Sequence, residues 1–413
     1  MQIAYTQAQE ELRAELRTYF SDLMTPERRA ALTGGDGELG EGDAYRDVVR
    51  QMGRDGWLAL GWPSEFGGAD RSMMDQLIFT DEAAIAGAPV PFLTINSVAP
   101  TIMHYGTEEQ KKFFLPKIAA GELHFSIGYS EPGAGTDLAA LRTSAVREGD
   151  EYVINGQKMW TSLIPYADYV WLACRTDSHG ASEATGSRHG ASEATGDQRR
   201  SKHKGISMVI VPTTAEGFSY TPVHTMAGVD TSATYYQDVR VPISNLVGEE
   251  GSGWGLVTNQ LNHERVALCS AAPIQTALRD TLAFATTEVD GRRPADQPWV
   301  RANLARVHAK VEFLKLVNWK IASIAASGGS PSPADASATK VFGTEFATEA
   351  YRLLMEIVGP AATLRAGSPG AHLLGRLERF ARTSLILTFG GGTNEVQRDI
   401  IGMLALKLPP ARR

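Results

Sequence analysis

The sequence predicts an α+β chain in three parts: an N-terminal α-helical domain over residues 1–124, a middle β domain over 125–248, and a C-terminal α-helical bundle over 249–413. Three observations predict it. Helical spacing of apolar residues dominates the first part; short runs rich in β-branched and aromatic residues replace it from about Phe125; long helical patterns resume after Gly253. The middle part is expected as a small barrel or sandwich and the last as a four-helix bundle.

In the first part, residues 6–24 predict a helix, with Thr6 as cap and Leu12, Leu16, Tyr19 and Leu23 on one face. Glycines at 34, 35, 37, 40 and 42 mark a loop before a second helix over Asp43 to Arg54. The turn-rich string GWLALGWPSEFGGAD follows, then a helix from Arg71 to Ala86. Shorter helices are expected over Pro100 to Tyr105 and Thr107 to Leu115, the second capped by Thr107 with Glu108, Glu109 and Gln110 in its first turn.

In the second part, Tyr152 to Ile154, Tyr169 to Arg175, Ile206 to Val211, Phe218 to Val223 and Thr234 to Val241 predict strands. Asn155-Gly156 is the preferred two-residue hairpin turn, so Tyr152 to Ile154 should pair with Gln157 to Trp160. The octapeptide HGASEATG occurs at His179 to Gly186 and again at His189 to Gly196. Such short polar repeats cannot form a packed core, so 177–204 is expected as a mobile duplicated loop. Histidines 179, 189 and 203 within it have no fixed geometry for a metal, and none is expected. In the third part, helices are expected over Trp254 to Glu288 with a break near Pro273, Trp299 to Ala326, Ala334 to Val358, His372 to Leu387 and Asn394 to Leu406.

Composition narrows the function. A hydrophobic content of 43% with 21% charged residues is ordinary for a soluble protein, and a net charge of -7 argues against nucleic acid as partner. Cys174 and Cys269 are too few and too scattered for a disulfide framework or a thiolate metal site. With no apolar leader between Thr6 and Arg17 and no run long enough to cross a bilayer, a cytoplasmic protein without membrane partners is expected.

Chemistry concentrates in three places. Ser130 to Asp137 form a polar, glycine-rich turn that can bring backbone amides against a large flat ligand or its phosphates, or can be an ordinary surface loop. Trp254, Val257, Leu261, Glu264 and Leu268 share one helical stripe, which sets a carboxylate on an apolar face. Glu264 there fits a structural ion pair with Arg265, or a general base whose pKa rises as an apolar substrate expels water. In FGGGTNEVQRDIIG, Gly390, Gly391 and Gly392 lead into a helix starting at Thr393 or Asn394. Its exposed amides suit a pyrophosphate or a developing oxyanion, a structural cap being the alternative.

The string from His124 to Ser162 resembles, as a whole, the flavin-binding segment of the acyl-CoA dehydrogenase family, where a SEP- or TEP-type turn with GAGSD leads to a KMWIT-like tail. WPSEFGG and GTEEQKKFFLPKIAAGE also look like family signatures, and the α, β, α order matches the family architecture. Many members carry YEGT at the last loop, its Glu being the base; aligning GTNEVQR puts Gly391 there instead. A subset, including isovaleryl- and long-chain-type enzymes, takes its base from an earlier helix in a string like LDLERL, and LNHERV places Glu264 at that position.

The resemblance implies FAD-dependent α,β-dehydrogenation of an acyl-CoA thioester to the 2-enoyl-CoA. Glu264 would take the α proton, flavin N5 would accept the hydride, and a ribityl hydroxyl with the Gly391 amide would polarise the carbonyl. Ile127, Gly128, Tyr129, Ser130, Gly135 and Thr136 would line the cofactor, Trp160 and Ser162 would cover its ring, and Thr393, Asn394 and Glu395 would approach it from the last helix. Asn262 and Arg265 match positions near the thioester, and Gly390, replacing a bulky aromatic, would widen the acyl pocket. The family's R-x-x-FG segment is reduced to VDGRRPADQPW, leaving Arg292 or Arg293 to reach the FAD of a neighbouring subunit; EIVGP only loosely matches the expected GG turn. Implied partners are acyl-CoA or a carrier-protein thioester, an electron-transfer flavoprotein as acceptor, and further subunits in a homodimer, homotetramer or heteromeric assembly. A flavin monooxygenase or oxidase on the same fold, and a non-catalytic partner subunit, are the other readings.

Overall fold

The computed structural model describes residues 4–33, 43–176, 202–228, 230–267, 269–288, 291–329 and 331–409, with backbone alone at 261–267 and 374. The duplicated octapeptides lie outside the described residues. The chain forms two compact units, one of Met1–Val90, Thr225–Val229 and Asn262–Arg413, the other of Pro91–His224 and Asp230–Leu261.

The first unit opens with α1 (Gln7–Leu23), α2 (Pro26–Thr33), α3 (Ala44–Arg54) and α4 (Met73–Ala86). Thr6 and Gln9 form a capping box on α1, as Ser72 and Asp75 do on α4. Phe20 rather than Tyr19 completes the buried stripe of Leu12, Leu16 and Leu23; the Tyr19 hydroxyl instead donates to Asp55 Oδ2 at 2.7 Å. Glu82 on α4 is buried and ties α1 down, accepting from Arg13 Nε at 3.1 Å and Arg17 Nε at 3.0 Å.

The second unit begins with a π-helical turn, Thr94–Val98, running into α5 (Ala99–Tyr105), then α6 (Glu108–Ala119). Thr107 caps α6 as expected: its Oγ1 accepts from Gln110 N–H at 3.2 Å, and Gln110 Oε1 accepts from Thr107 N–H at 3.0 Å. An eight-stranded sheet follows: β1 (Phe125–Gly128), β2 (Ser144–Glu148), β3 (Glu151–Lys158), β4 (Tyr169–Arg175), β5 (Ile206–Pro212), β6 (Phe218–His224), β7 (Asp230–Pro242) and β8 (Leu246–Val247). Its order is β6-β7-β3-β2-β4-β5-β8, with β1 parallel to β4. Tyr152, Ile154, Val170, Leu172, Val209, Val211, Tyr236 and Val239 pack in its core. Helix α7 (Gly253–Ala267) starts in this unit.

The chain then returns to the first unit with α8 (Ala272–Thr286), α9 (Pro298–Ala326), α10 (Pro333–Val358), α11 (Arg376–Leu387) and α12 (Asn394–Leu404). The expected break separates α7 from α8, with 269–271 non-helical, and Pro273 sits in the first turn of α8, where a missing N–H costs nothing. Helix α10 packs against α8, α9, α11 and α12. Buried Leu304, Val307, Val311, Leu314, Phe346, Ala350 and Leu354 form part of the shared core.

The Asn155-Gly156 hairpin is not formed. The chain reverses earlier, at Gly149-Asp150 with Gly149 at φ 63°, and β2 pairs with an unbroken β3 from Glu148↔Glu151 to Ser144↔Asn155. Asn155 and Gly156 instead make a bulge against β7, where Asn155 Nδ2 donates to Asp238 Oδ1 at 2.9 Å and Asp238 N–H donates to Asn155 Oδ1 at 3.0 Å. Glycine is required there because a Cβ at 156 would lie 2.6 Å from Thr143 Oγ1 and 2.8 Å from Thr143 Cα. Gly156→Ala should therefore destabilise by about 1 to 3 kcal/mol through overpacking. A thermal midpoint equal to that of the parent would show that the bulge can yield.

Candidate active site

The polar turn after β1 is folded round a buried ion pair. Glu131 N–H donates to Ala134 O at 2.9 Å and Ala134 N–H returns to Glu131 O at 3.1 Å, closing the turn over Pro132 and Gly133. Lys158 Nζ, fully buried at the end of β3, donates to Glu131 Oε1 at 2.8 Å and to Tyr129 O at 3.0 Å. The Glu131 carboxylate also accepts from Arg142 N–H at 2.7 Å, Thr143 N–H at 2.9 Å and Thr143 Oγ1 at 2.7 Å. Burial alone would raise the Glu131 pKa, but the ammonium and these donors outweigh it and hold the carboxyl below its usual range. Burial likewise draws the Lys158 ammonium below its ordinary value, against the pull of Glu131.

The strand that carries Lys158 lays its tail beside β1. Met159 N–H donates to Ser130 O at 2.8 Å, and Ser126 Oγ donates to Ser162 O at 2.8 Å. Of the expected cofactor contacts, Ile127, Gly128, Tyr129, Ser130, Trp160 and Ser162 are thereby brought together, with Gly135 and Thr136 exposed on the turn beyond. Trp160 takes a left-handed φ of 65° and leaves its indole 57% exposed. Backbone strain spent on holding a large apolar ring in water is a feature of ligand sites. A flat ring stacked there would cover the indole, and the exposed turn offers small polar groups beside it, so the residues present fit a flavin.

The same segment is joined to α7. Trp171 Nε1 donates to Tyr129 Oη at 3.1 Å, and Tyr129 Oη donates to Gln260 Oε1 at 2.5 Å. On the expected stripe Val257 is fully buried and Trp254 half-buried; Gln260, beside the stripe, is fully buried too. Helix α7 continues through 262, 264 and 265; the side chains of Asn262, Glu264 and Arg265 lie outside the described residues.

In the other unit, the three glycines before α12 form a turn with Gly391 at φ 67° and Gly392 at φ 90°. Gly390 N–H donates to Ile386 O at 2.9 Å and Asn394 N–H to Thr388 O at 2.9 Å. Thr393 caps α12, its Oγ1 accepting from Val396 N–H at 3.3 Å. Asn394 is buried and turned toward α10: Lys340 Nζ donates to its Oδ1 at 2.7 Å, and its Nδ2 donates to Thr344 Oγ1 and to Glu345 Oε1, both at 3.1 Å. Glu395 is exposed on the first turn, and Arg292 is exposed between α8 and α9.

Glu131, Lys158 and Lys340 were not among the residues the sequence singled out. Lys158 and Glu131 stand in the strings that carry the family resemblance, but neither a lysine near a strand end nor a glutamate in a polar turn is marked by its type as buried. The signal for Lys340 is its company, since Ala336, Ser337, Gly343, Thr344 and Ala347 set it within a buried stripe of small residues.

The chain belongs to the acyl-CoA dehydrogenase family, whose members are FAD-dependent oxidoreductases acting on CH–CH donors. The family's N-terminal, middle and C-terminal domain models match residues 6–122, 126–239 and 251–406. Acyl-CoA dehydrogenase FadE26 of Mycobacterium tuberculosis is 70% identical over 100% of both chains, and FadE29 of the same organism 45% identical over the same share. Among solved structures, the ChsE4-ChsE5 complex from Mycobacterium tuberculosis contains a chain 69% identical, covering 100% of each, with a TM-score of 0.88. The Tcur3481-Tcur3483 steroid acyl-CoA dehydrogenase has one 47% identical, also covering 100% of each, with a TM-score of 0.88. Among the described residues, no helix is long and apolar enough to cross a membrane.

Breaking the buried pair tests how the polar turn is held. Glu131→Gln should cost about 3 to 5 kcal/mol, because it leaves a buried ammonium without its counter-charge. The double change with Lys158→Met should recover part of that loss in urea unfolding. The folded carboxyl titrates below its unfolded value of about 4.3. Its contribution is therefore complete above that value and lost as pH falls through the folded pKa, and Glu131→Gln should flatten the acid limb of the stability profile. A double variant no more stable than Glu131→Gln would disprove the pairing.

Proposed function

We propose that the chain carries out FAD-dependent α,β-dehydrogenation of an acyl-CoA thioester, with Glu264 removing the α proton. The observation that carries the proposal is the glycine turn before α12. It offers a backbone amide at Gly391, which donates to no group among the described residues, and glycines alone at 390–392, so the position itself supplies no acid. A thioester α proton is too weakly acidic for an unaided carboxylate, so the carbonyl has to be polarised, and a positioned amide contributes roughly 3 to 4 kcal/mol. The base must then come from elsewhere, and α7 carries Glu264 with Asn262 and Arg265 on its last turns. FAD supplies the hydride acceptor; the chain supplies the base, the amide and the covering indole of Trp160.

The same reading extends to the assembly and the substrate. Similarity over full length to subunits of the ChsE4-ChsE5 complex and of a steroid acyl-CoA dehydrogenase supports a heteromeric enzyme acting on a bulky, steroid-type acyl thioester. Gly390, which adds no side chain to the turn, supports a wide acyl pocket, and Arg292 is the candidate for a contact to a neighbouring subunit's cofactor. Exposed Leu385, Phe389, Leu404, Leu406 and Leu408 support a partner on the C-terminal helices.

Anaerobic titration of the flavin-loaded assembly with straight-chain and steroid-type acyl-CoAs should bleach the flavin, the bulky thioesters at lower concentration. Glu264→Gln should slow the bleaching by about 10² to 10⁴-fold, the usual range for loss of a general base. Unchanged bleaching in Glu264→Gln would make the chain a partner subunit without the base. Rapid oxygen consumption by the reduced protein would make it an oxidase.

A further inference from the structure

Lys340 is a fully buried charged group in the bundle that the proposed chemistry leaves unused. It projects from α10 and donates to Thr388 O at 3.1 Å, Gly392 O at 2.9 Å and Asn394 Oδ1 at 2.7 Å. Those oxygens bracket the glycine turn: one precedes it, one lies in it, and one opens α12. A second anchor comes from the same helix. Ser337 Oγ donates to Gln397 Oε1 at 2.8 Å, which fixes the Gln397 amide so that its Nε2 donates to Gly391 O at 3.3 Å.

These contacts have a directional consequence. In a planar trans peptide the carbonyl and the following N–H point to opposite sides. Holding Gly391 O toward the Gln397 amide on α12 turns the Gly392 N–H away from that amide, and holding Gly392 O toward Lys340 turns the Thr393 N–H away from α10. The peptide carrying the Gly391 N–H lies between two fixed points, Gly390 N–H on Ile386 O and Gly391 O on Gln397. A glycine turn at positive φ would otherwise sample many orientations. The cation on Gly392 O also polarises that peptide and strengthens the Thr393 N–H as a donor.

We propose that Lys340 is a positioning residue for the reaction: its buried ammonium, with Gln397, holds the 388–394 turn so that the Gly391 amide stays aimed at the developing oxygen charge of the thioester. The inference rests on the proposed role of Gly391, and the test separates the two. The probe is the carbonyl stretch of a ¹³C-carbonyl-labelled 2-enoyl-CoA of a steroid carboxylic acid, bound to the flavin-loaded assembly and read by difference infrared spectroscopy. In the unaltered protein the stretch should fall to lower frequency than in water; no fall would overturn the role of Gly391 itself. Lys340→Met should return the stretch toward its value in water and lower kcat by about 10²-fold or more, the loss seen when one oxyanion donor is removed, with KM little changed. Ser337→Ala, which frees Gln397 but leaves the ammonium in place, should give an intermediate shift and decides the matter if Lys340→Met does not fold. A full downshift in either folded variant, with flavin retained, would overturn the positioning role while leaving that of Gly391 intact.

Discussion

An ammonium group taken out of water must find an oxygen for each of its donors, and the cost of failing is several kcal/mol. This constraint shapes both segments that the proposed chemistry uses. The turn after β1 wraps onto Lys158 and gives it two acceptors, Tyr129 O and Glu131 Oε1, the second a counter-charge. Lys340 is satisfied by wrapping the turn before α12 onto it, with two carbonyls and the Asn394 amide as acceptors. In each case an irregular, glycine-containing stretch is held by a buried ammonium, through the Glu131 carboxylate in the first and through the Thr388 and Gly392 carbonyls in the second. In the turn before α12 the cation sits on the carbonyl of Gly392, on the opposite side of that peptide from the Thr393 N–H.

That arrangement also explains what could be read from the sequence. The helices were legible because their signals are local: Thr107 and Gln110 form the expected capping box, and Pro298 and Pro333 open helices where a proline loses nothing. Helix α2 was not foreseen, because PERRAALT carries no apolar stripe. Asn155-Gly156 misled for a physical reason. The dipeptide suits a tight turn and a bulge alike, and the choice was made by Gly149-Asp150 closing β2 onto β3 and by Asp238 waiting across the sheet. The Tyr129, Trp171 and Gln260 network joins residues far apart in sequence, and no spacing rule connects them.

The string resemblance located the turns but not their supports. A lysine's type does not say whether its ammonium is solvated; the stripe of small residues on α10 is a local hint of burial, but the acceptors Thr388 O, Gly392 O and Asn394 Oδ1 lie far along the chain. Burial has the opposite result for Cys174 and Cys269, whose thiols are raised to about 12 and so stay protonated and inert.

The glycine turn finally bears on why a base would sit on α7. Gly391 and Gly392 hold positive φ, and a Cβ at 392 would come within 2.7 Å of Gln397 Nε2. A turn locked this way presents backbone well and side chains poorly. Placing the carboxylate on a regular helix removes the conflict between aiming an amide and aiming an acid from the same strained residues. Under the proposed mechanism α7 suits the task, because Gln260 pins it to Tyr129, the residue next to Ser130 in the segment proposed to line the flavin. Gln260 on α7 and the flavin-lining segment are tied by one short hydrogen bond, and the turn before α12 is held separately by the Lys340 ammonium.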